Sequence, residues 1–429
     1  MRDTLSYRST VSACYTANFI GALVINLTPV LFIPLKTLYG LSYTQFGILL
    51  AANYVTQVAA DILFSWPVDR YGCRPFAILA PVLTIAGYLV FALSPVLWEN
   101  PFPGFLAGTI LFSATGGLLE LMLNIIINGI PGEQKAGMLS VLHSFYAWGQ
   151  LTVVLLSTLA LWYFGISNWQ WIVAAWAVLP CINIWQFITC RMPPRIPEEQ
   201  RQGASFLLKQ KYFYFLIILI AFGGMSEVAM PMWSSAFLER AIKLPKIVGD
   251  TLGVCMGALM LGTGRLLYGL FGEKRDVLPF MILGAAGAVV LYLIAGFSGS
   301  HIAALAGCAL CCLATSLLWP GSVVLANKTF PLAGAWLYAM LAAGGDIGAA
   351  AGPYMLGVIA DNAPVWPVLS ELFNKTSLTL EEFGLRCALG MGAVFPLITL
   401  GLLLWFWKKQ RAGGEKNLQK EERCGILKS

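Results

Sequence analysis

Glu120, Asn124 and Asn128 stand four residues apart in an otherwise apolar run, Gly116-Gly117-Leu118-Leu119-Glu120-Leu121-Met122-Leu123-Asn124-Ile125-Ile126-Ile127-Asn128. On a helix that spacing sets all three along one face. An ionised carboxylate near a membrane centre costs at least ~2.5–3.5 kcal/mol on insertion scales, so it faces a wet cavity, finds a partner or stays protonated. A carboxyl of this kind can carry a proton; a permanent bond to a neighbouring helix is the alternative reading of Glu120.

Glu227 repeats the situation in Phe222-Gly223-Gly224-Met225-Ser226-Glu227, followed by Pro231 and Trp233. Pro231 frees a backbone carbonyl in the preceding turn, which suits a kinked or unwound helix lining a cavity. Trp233 could stack on the apolar face of a sugar ring, with packing against protein or lipid as the alternative. Asp346, within Gly344-Gly345-Asp346-Ile347-Gly348, is a third mid-depth acid, and its glycines permit close helix approach. His143, one of two histidines, opens a further polar stretch with Trp148 and Gln150, where it could relay a proton or hold a bond between helices.

The elements that position these residues are membrane helices. Ala136–Cys190 and Val277–Asn327 contain no Asp, Glu, Lys or Arg over 55 and 51 residues. At roughly 20 apolar residues per crossing, each holds two spans. Composition agrees, with 58% hydrophobic and 11% charged residues and a mean hydropathy of +0.74, which excludes a water-soluble domain. Hydropathy predicts an all-α integral membrane protein with twelve helices near 12–36, 44–66, 75–97, 103–130, 137–164, 168–190, 212–238, 247–271, 277–298, 301–327, 334–360 and 385–407. The segment 361–384, with its SLTLEEFG, is expected to hold a short surface helix. The start lacks the pattern of a cleaved secretory signal, so the first helix is expected to be retained.

Residues 191–211 are charged and proline-bearing and divide the chain into six-helix halves at 1–190 and 212–407, with a tail at 408–429. Of the 27 Lys and Arg residues, 20 fall on the side of the termini and 6 on the other, so both termini are expected inside. The halves repeat: PFAIL at 75–79 returns as PFMIL at 279–283, and Ala114-Thr115 as Ala314-Thr315. The first offset sets Arg265, in the eighth helix, opposite Asp61 of the second, so the two could join one charge cluster. Such duplication places a solute site between two rocking halves.

Ser65-Trp66-Pro67-Val68-Asp69-Arg70-Tyr71-Gly72-Cys73-Arg74 resembles the loop signature of the major facilitator superfamily, G-x-x-x-D-R-x-G-R-R, with Ser65 and Cys73 as departures. The resemblance implies two pseudo-symmetric six-helix bundles and a gating role for Asp69, Arg70, Gly72 and Arg74, with Asp69 meeting a neighbouring helix N-terminus. Arg265 lies in the degenerate counterpart of this signature. The acid and Asn of helix four, the His143-x-Phe145/Tyr146…Gly149 opening of helix five and the Gly224-x-x-Glu227…Trp233 run of helix seven are similar to the fucose permease branch and its sugar-symporter relatives. That likeness implies proton coupling through Glu120, Glu227 and Asp346. It also implies solute contacts from Asn26, Glu120, Asn124, His143, Trp148, Gln150, Glu227 and Trp233. Helix one departs from the branch, offering Asn26-Leu27-Thr28-Pro29 where the pattern has an Asp.

The function expected is secondary transport of a small polar solute, most readily a sugar, by proton symport in the plasma membrane. Proton-coupled export of drugs or metabolites, and a transporter-like receptor, are the alternatives. No phosphate-cradling loop, catalytic triad or metal-ligand cluster is legible, so neither an enzyme nor a cofactor is expected. The ten cysteines, including Cys308, Cys311 and Cys312, read as packing residues. Partners expected are solute, protons and lipid, with no nucleic acid, around a monomer. Sodium sites need several oxygens converging on one point. Because the mid-depth acids of this chain lie on different helices, a protonated carboxyl is the simpler carrier.

Overall fold

The computed structural model describes residues 7–423 apart from 42, 133, 134, 246–248, 250–252, 254, 273 and 274. Helices account for nearly all of it because a backbone in hydrocarbon must satisfy its own hydrogen bonds. We number the membrane helices α1 (Arg8–Val30, continued as Phe32–Tyr39), α2 (Tyr43–Tyr71), α3 (Cys73–Leu97), α4 (Phe102–Gly129), α5 (Lys135–Phe164) and α6 (Trp169–Trp176 and Val178–Thr189). The second half contains α7 (Lys211–Arg240), α8 (Met256–Leu267), α9 (Val277–Phe297), α10 (His301–Thr315 and Leu318–Thr329), α11 (Ala335–Asn362) and α12 (Leu380–Gly392 and Val394–Arg423). Among the described residues ten spans are long and apolar enough to cross a membrane by length and composition; α8 and α11 complete the twelve. The N-terminal part of the eighth predicted helix lies partly outside the described residues.

Four helices are interrupted, at Leu31, Ala177, Ser316-Leu317 and Ala393, in each case just ahead of a proline: Pro34, Pro180, Pro320 and Pro396. Proline has no N–H for the carbonyl four residues back and its ring crowds that carbonyl. By contrast α7 runs unbroken through Pro231, so of the kinked or unwound helix expected there the unwound form is not seen. The SLTLEEFG stretch opens α12. Thr379 and Glu382 form a reciprocal capping box at its first turn. The short helix of that connection lies upstream, at Pro367–Phe373.

Large apolar side chains such as Leu63, Leu283 and Tyr354 point outward, as a lipid-facing surface requires. Within each half the helices pack closely. Between halves, α2 and α4 meet α11, and α5 meets α8. Hydrogen bonds join the halves at the end of the bundle that carries the α2–α3 connection and the central segment. There Ala335 N–H donates to Asp69 Oδ1 at 2.8 Å, Asn128 Nδ2 to the Tyr338 hydroxyl at 3.2 Å, and Ser140 Oγ to the Arg265 carbonyl at 2.7 Å.

Candidate functional site

Two glycine seams bring the mid-depth acids together. On α4, a Cβ at Gly116 or Gly117 would collide with the side chain or carbonyl of Gln57, so only glycine lets α2 come this close. Gln57 donates to Asn53 Oδ1 at 2.5 Å, and Asn53 to the Val24 carbonyl at 3.1 Å, which ties α1 to the same seam. One turn beyond Gln57 stands Asp61, and one turn beyond Gly116 stands Glu120. On α11, Gly344, Gly348 and Gly352 repeat every four residues and bed against Ile217, Ala221 and Met225 of α7. Asp346 lies off that stripe and reaches across to the other half.

The outcome is a cluster of three carboxyls, Asp61 from α2, Glu120 from α4 and Asp346 from α11, whose nearest oxygens all lie within 4.8 Å of one another. Asp61 is fully buried, and neither of its oxygens has a hydrogen-bond partner. Asp346 is 9% exposed with Oδ2 unpartnered, whereas Glu120 retains partial access to solvent. Tyr54 of α2 and Tyr146 of α5 stand within electrostatic reach of the cluster. Acids that sequence spacing scatters over separate helices therefore converge on one point. This corrects the expectation that no metal-ligand cluster exists and removes the argument against a convergent oxygen site.

Glu227 has a different environment. Its Oε1 accepts from Arg265 Nη2 at 2.5 Å, and both side chains are buried. Arg265 Nε donates to the Ser316 carbonyl at 3.0 Å, the carbonyl four residues before Pro320 and therefore the one that proline leaves without its helical donor. Its Nη1 donates to the His143 carbonyl at 3.0 Å, across to the first half. Arg265 and Asp61, which the repeat offset suggested could join one charge cluster, have different charged partners: Arg265 pairs with Glu227, and the charged groups acting on Asp61 are Glu120 and Asp346.

The remaining sequence candidates divide. His143 Nε2 lies 3.4 Å from Asn124 Oδ1, a bond between α5 and α4. Asn124 and Asn128 direct their Nδ2 groups to the carbonyls of Glu120 and Asn124 on their own helix, at 2.8 and 2.9 Å. Asn26 does the same with Ala22 at 2.8 Å. Trp233 donates to the Pro353 carbonyl at 3.0 Å and packs on Gly357, so its ring braces α7 against α11. Trp148 lies against Gly262 of α8, and Gln150 is half-buried on α5. At the α2–α3 connection Asp69 caps α11, with Arg201 3.9 Å away, and Arg70 stacks over Trp66 at 5.1 Å. Gly72 turns with φ of 85°, and Arg74 donates to the Cys190 carbonyl at 2.6 Å.

Asp61, Tyr54 and Tyr146 were not among the predicted site residues. For Asp61 the signal was present, since a lone acid inside an apolar helix is itself a functional flag. The tyrosines carried none, because a helical Tyr is ordinarily packing.

Twelve membrane helices in two packed halves, with acids held between them, define a polytopic transporter-type bundle. The chain belongs to the Major Facilitator Superfamily, whose sequence profile matches residues 14–353. Among solved structures it resembles a point variant of the E. coli fucose:proton symporter FucP, at 14% identity and a TM-score of 0.71, over 93% of this chain and 99% of that one. The proton:xylose symporter XylE of E. coli, bound to 6-bromo-6-deoxy-D-glucose, gives 14% identity and a TM-score of 0.76, over 95% and 96%. The human organic anion transporter MFSD10 gives 16% and 0.68, over 92% and 99%. At these identities the likeness establishes the fold. No curated protein matches the chain.

Proposed function

We propose that this protein is a secondary transporter that moves a small polar solute, most readily a sugar, together with protons by alternating access. The observation that carries the reading is the carboxyl cluster of Asp61, Glu120 and Asp346, which draws on both halves and has no basic partner among the described residues. Buried carboxyls without a counter-charge hold protons until a change in access hydrates them. Glu120, the most accessible of the three, is the entry point, and the cluster replaces Glu227 as the centre of coupling, since Glu227 is already matched by Arg265. FucP and XylE, similar in fold, are sugar:proton symporters, which supports the substrate class.

The distribution of Lys and Arg supports a plasma-membrane topology with both termini cytoplasmic. The two bundles are taken as 1–190 and 212–407, joined by a cytoplasmic linker at 191–211, with a tail at 408–429 and a monomer as the working unit. In that orientation the bonds of Asp69, Asn128 and Ser140 close the cytoplasmic end, the arrangement of an outward-facing carrier. The test is uptake and counterflow in proteoliposomes across monosaccharides, polyols, sugar acids and organic anions under an imposed proton gradient. Accumulation driven by an acidic exterior supports symport. Efflux driven by the same gradient replaces it with antiport, and the lack of any exchange removes the transport reading.

A further inference from the structure

We propose that Asp61, Glu120 and Asp346 form a cation site shared by the two halves, in which one sodium or lithium ion replaces a proton at alkaline pH. The donors are carboxylate oxygens only, the set that hard cations take and soft metals do not. Their separation suits one ion: at metal–oxygen bonds of about 2.3–2.6 Å, as calcium makes and as sodium of similar radius shares, two ligand oxygens lie at most about 5 Å apart. The carboxyl oxygens here lie within 4.8 Å of one another.

Asp61 gives the second, independent indication. It is fully buried, aimed into the cluster, and both its oxygens lack a donor. A buried carboxylate in that condition needs a positive occupant. Arg265, the buried arginine of α8, is committed to Glu227, Ser316 and His143.

Charge selects a monovalent ion. Three protons neutralise three carboxylates, and so do one sodium ion and two protons, so the exchange is one for one and leaves the site neutral. A divalent ion would displace two protons and be held too firmly to leave in each cycle. The groups facing the site are Tyr54 of α2, within electrostatic reach of Asp346, Tyr146 on α5, and Glu227 on α7, whose charge Arg265 of α8 meets. A sodium ion here would bridge α11 to α2 and α4, so occupancy bears directly on how the halves sit.

The inference rests on reading the cluster as the coupling centre. Its test is binding of radiolabelled sodium to the purified full-length protein by scintillation proximity, without transport. One ion per chain is expected at pH 8, displaced by lithium but not by potassium or choline. Its apparent Kd should rise about tenfold for each pH unit of acidification once protons compete one for one. Asp61→Asn and Asp346→Asn should each abolish binding. Removing one of three like charges should leave their thermal midpoints in choline at or above the parent's, and if one variant fails to fold the other decides. No sodium binding at pH 8, binding retained in the folded variants, or displacement by micromolar calcium would overturn the proposal. Proton-driven uptake without sodium binding removes this inference alone. Sodium binding without gradient-driven uptake supports it and removes the coupling reading instead.

Discussion

Arg265 of α8 and Glu227 of α7 form a buried ion pair at 2.5 Å, and the same guanidinium spans the carbonyls of His143 in one half and Ser316 in the other. One side chain therefore neutralises an acid, satisfies the carbonyl exposed by Pro320 and joins the two halves.

Breaking that pair should be severe. Glu227→Gln leaves a buried guanidinium without its counter-charge, a loss on the order of 3–5 kcal/mol. The thermal midpoint in detergent should fall sharply, and the double variant Glu227→Met/Arg265→Met should regain most of it. An unchanged midpoint in Glu227→Gln would show the pair to be dispensable.

Glu120→Gln should behave in the opposite way. No basic side chain among the described residues pairs with Glu120, so stability should hold, while an amide cannot carry a proton. Energised accumulation should be lost with counterflow retained. Accumulation at the parental level with a normal pH profile would remove Glu120 from coupling.

Asp69→Asn should slow the transport cycle with little change in solute affinity. The carboxylate accepts from Ala335 N–H at the start of α11, and charge at a helix N-terminus contributes about 0.3–1 kcal/mol, more when partly buried. Exchange rates and solute Kd, measured together, separate the two effects. A large affinity loss at an unaltered rate would contradict the placement of Asp69 away from the site.

Gly348→Ala tests the seam that aims Asp346. The added methyl would meet the Ala221 carbonyl at less than contact distance, and overpacking of this kind costs about 1–3 kcal/mol. A lowered midpoint and impaired coupling are expected together. A variant as stable and as active as the parent would mean that α7 and α11 do not need this closeness.

Uptake should rise as external pH falls from about 8 to 6, because a relay of intramembrane carboxyls loads from the outer solution and an acidic exterior fills it. It should persist in sodium-free medium at pH 6 and collapse with a protonophore. Uptake that requires sodium at pH 6 and ignores a protonophore would overturn proton coupling.

The twelve helices were legible in the sequence because a membrane span is a local property. Each backbone bonds within its own segment, so roughly 20 apolar residues suffice to announce it. The Asp69 motif was legible for the same reason, since its residues are adjacent in the chain. What met what was not. Asp61 and Asp346 are 285 positions apart, and nothing in their spacing brings their oxygens to a common point. The repeat offset even set Arg265 opposite Asp61. A duplicated position is not a neighbour: partners follow from how closely helices approach and how they are rotated. The collision-limited seams at Gly117 and Gly348 fix that approach, and the carbonyl exposed by Pro320 gives Arg265 its anchor. The sequence determined which acids enter the membrane, because burial in hydrocarbon is read from local composition. Only the tertiary structure decided which acid is neutralised by an arginine and which three must share their charge, because that depends on distances between helices that the chain order does not encode.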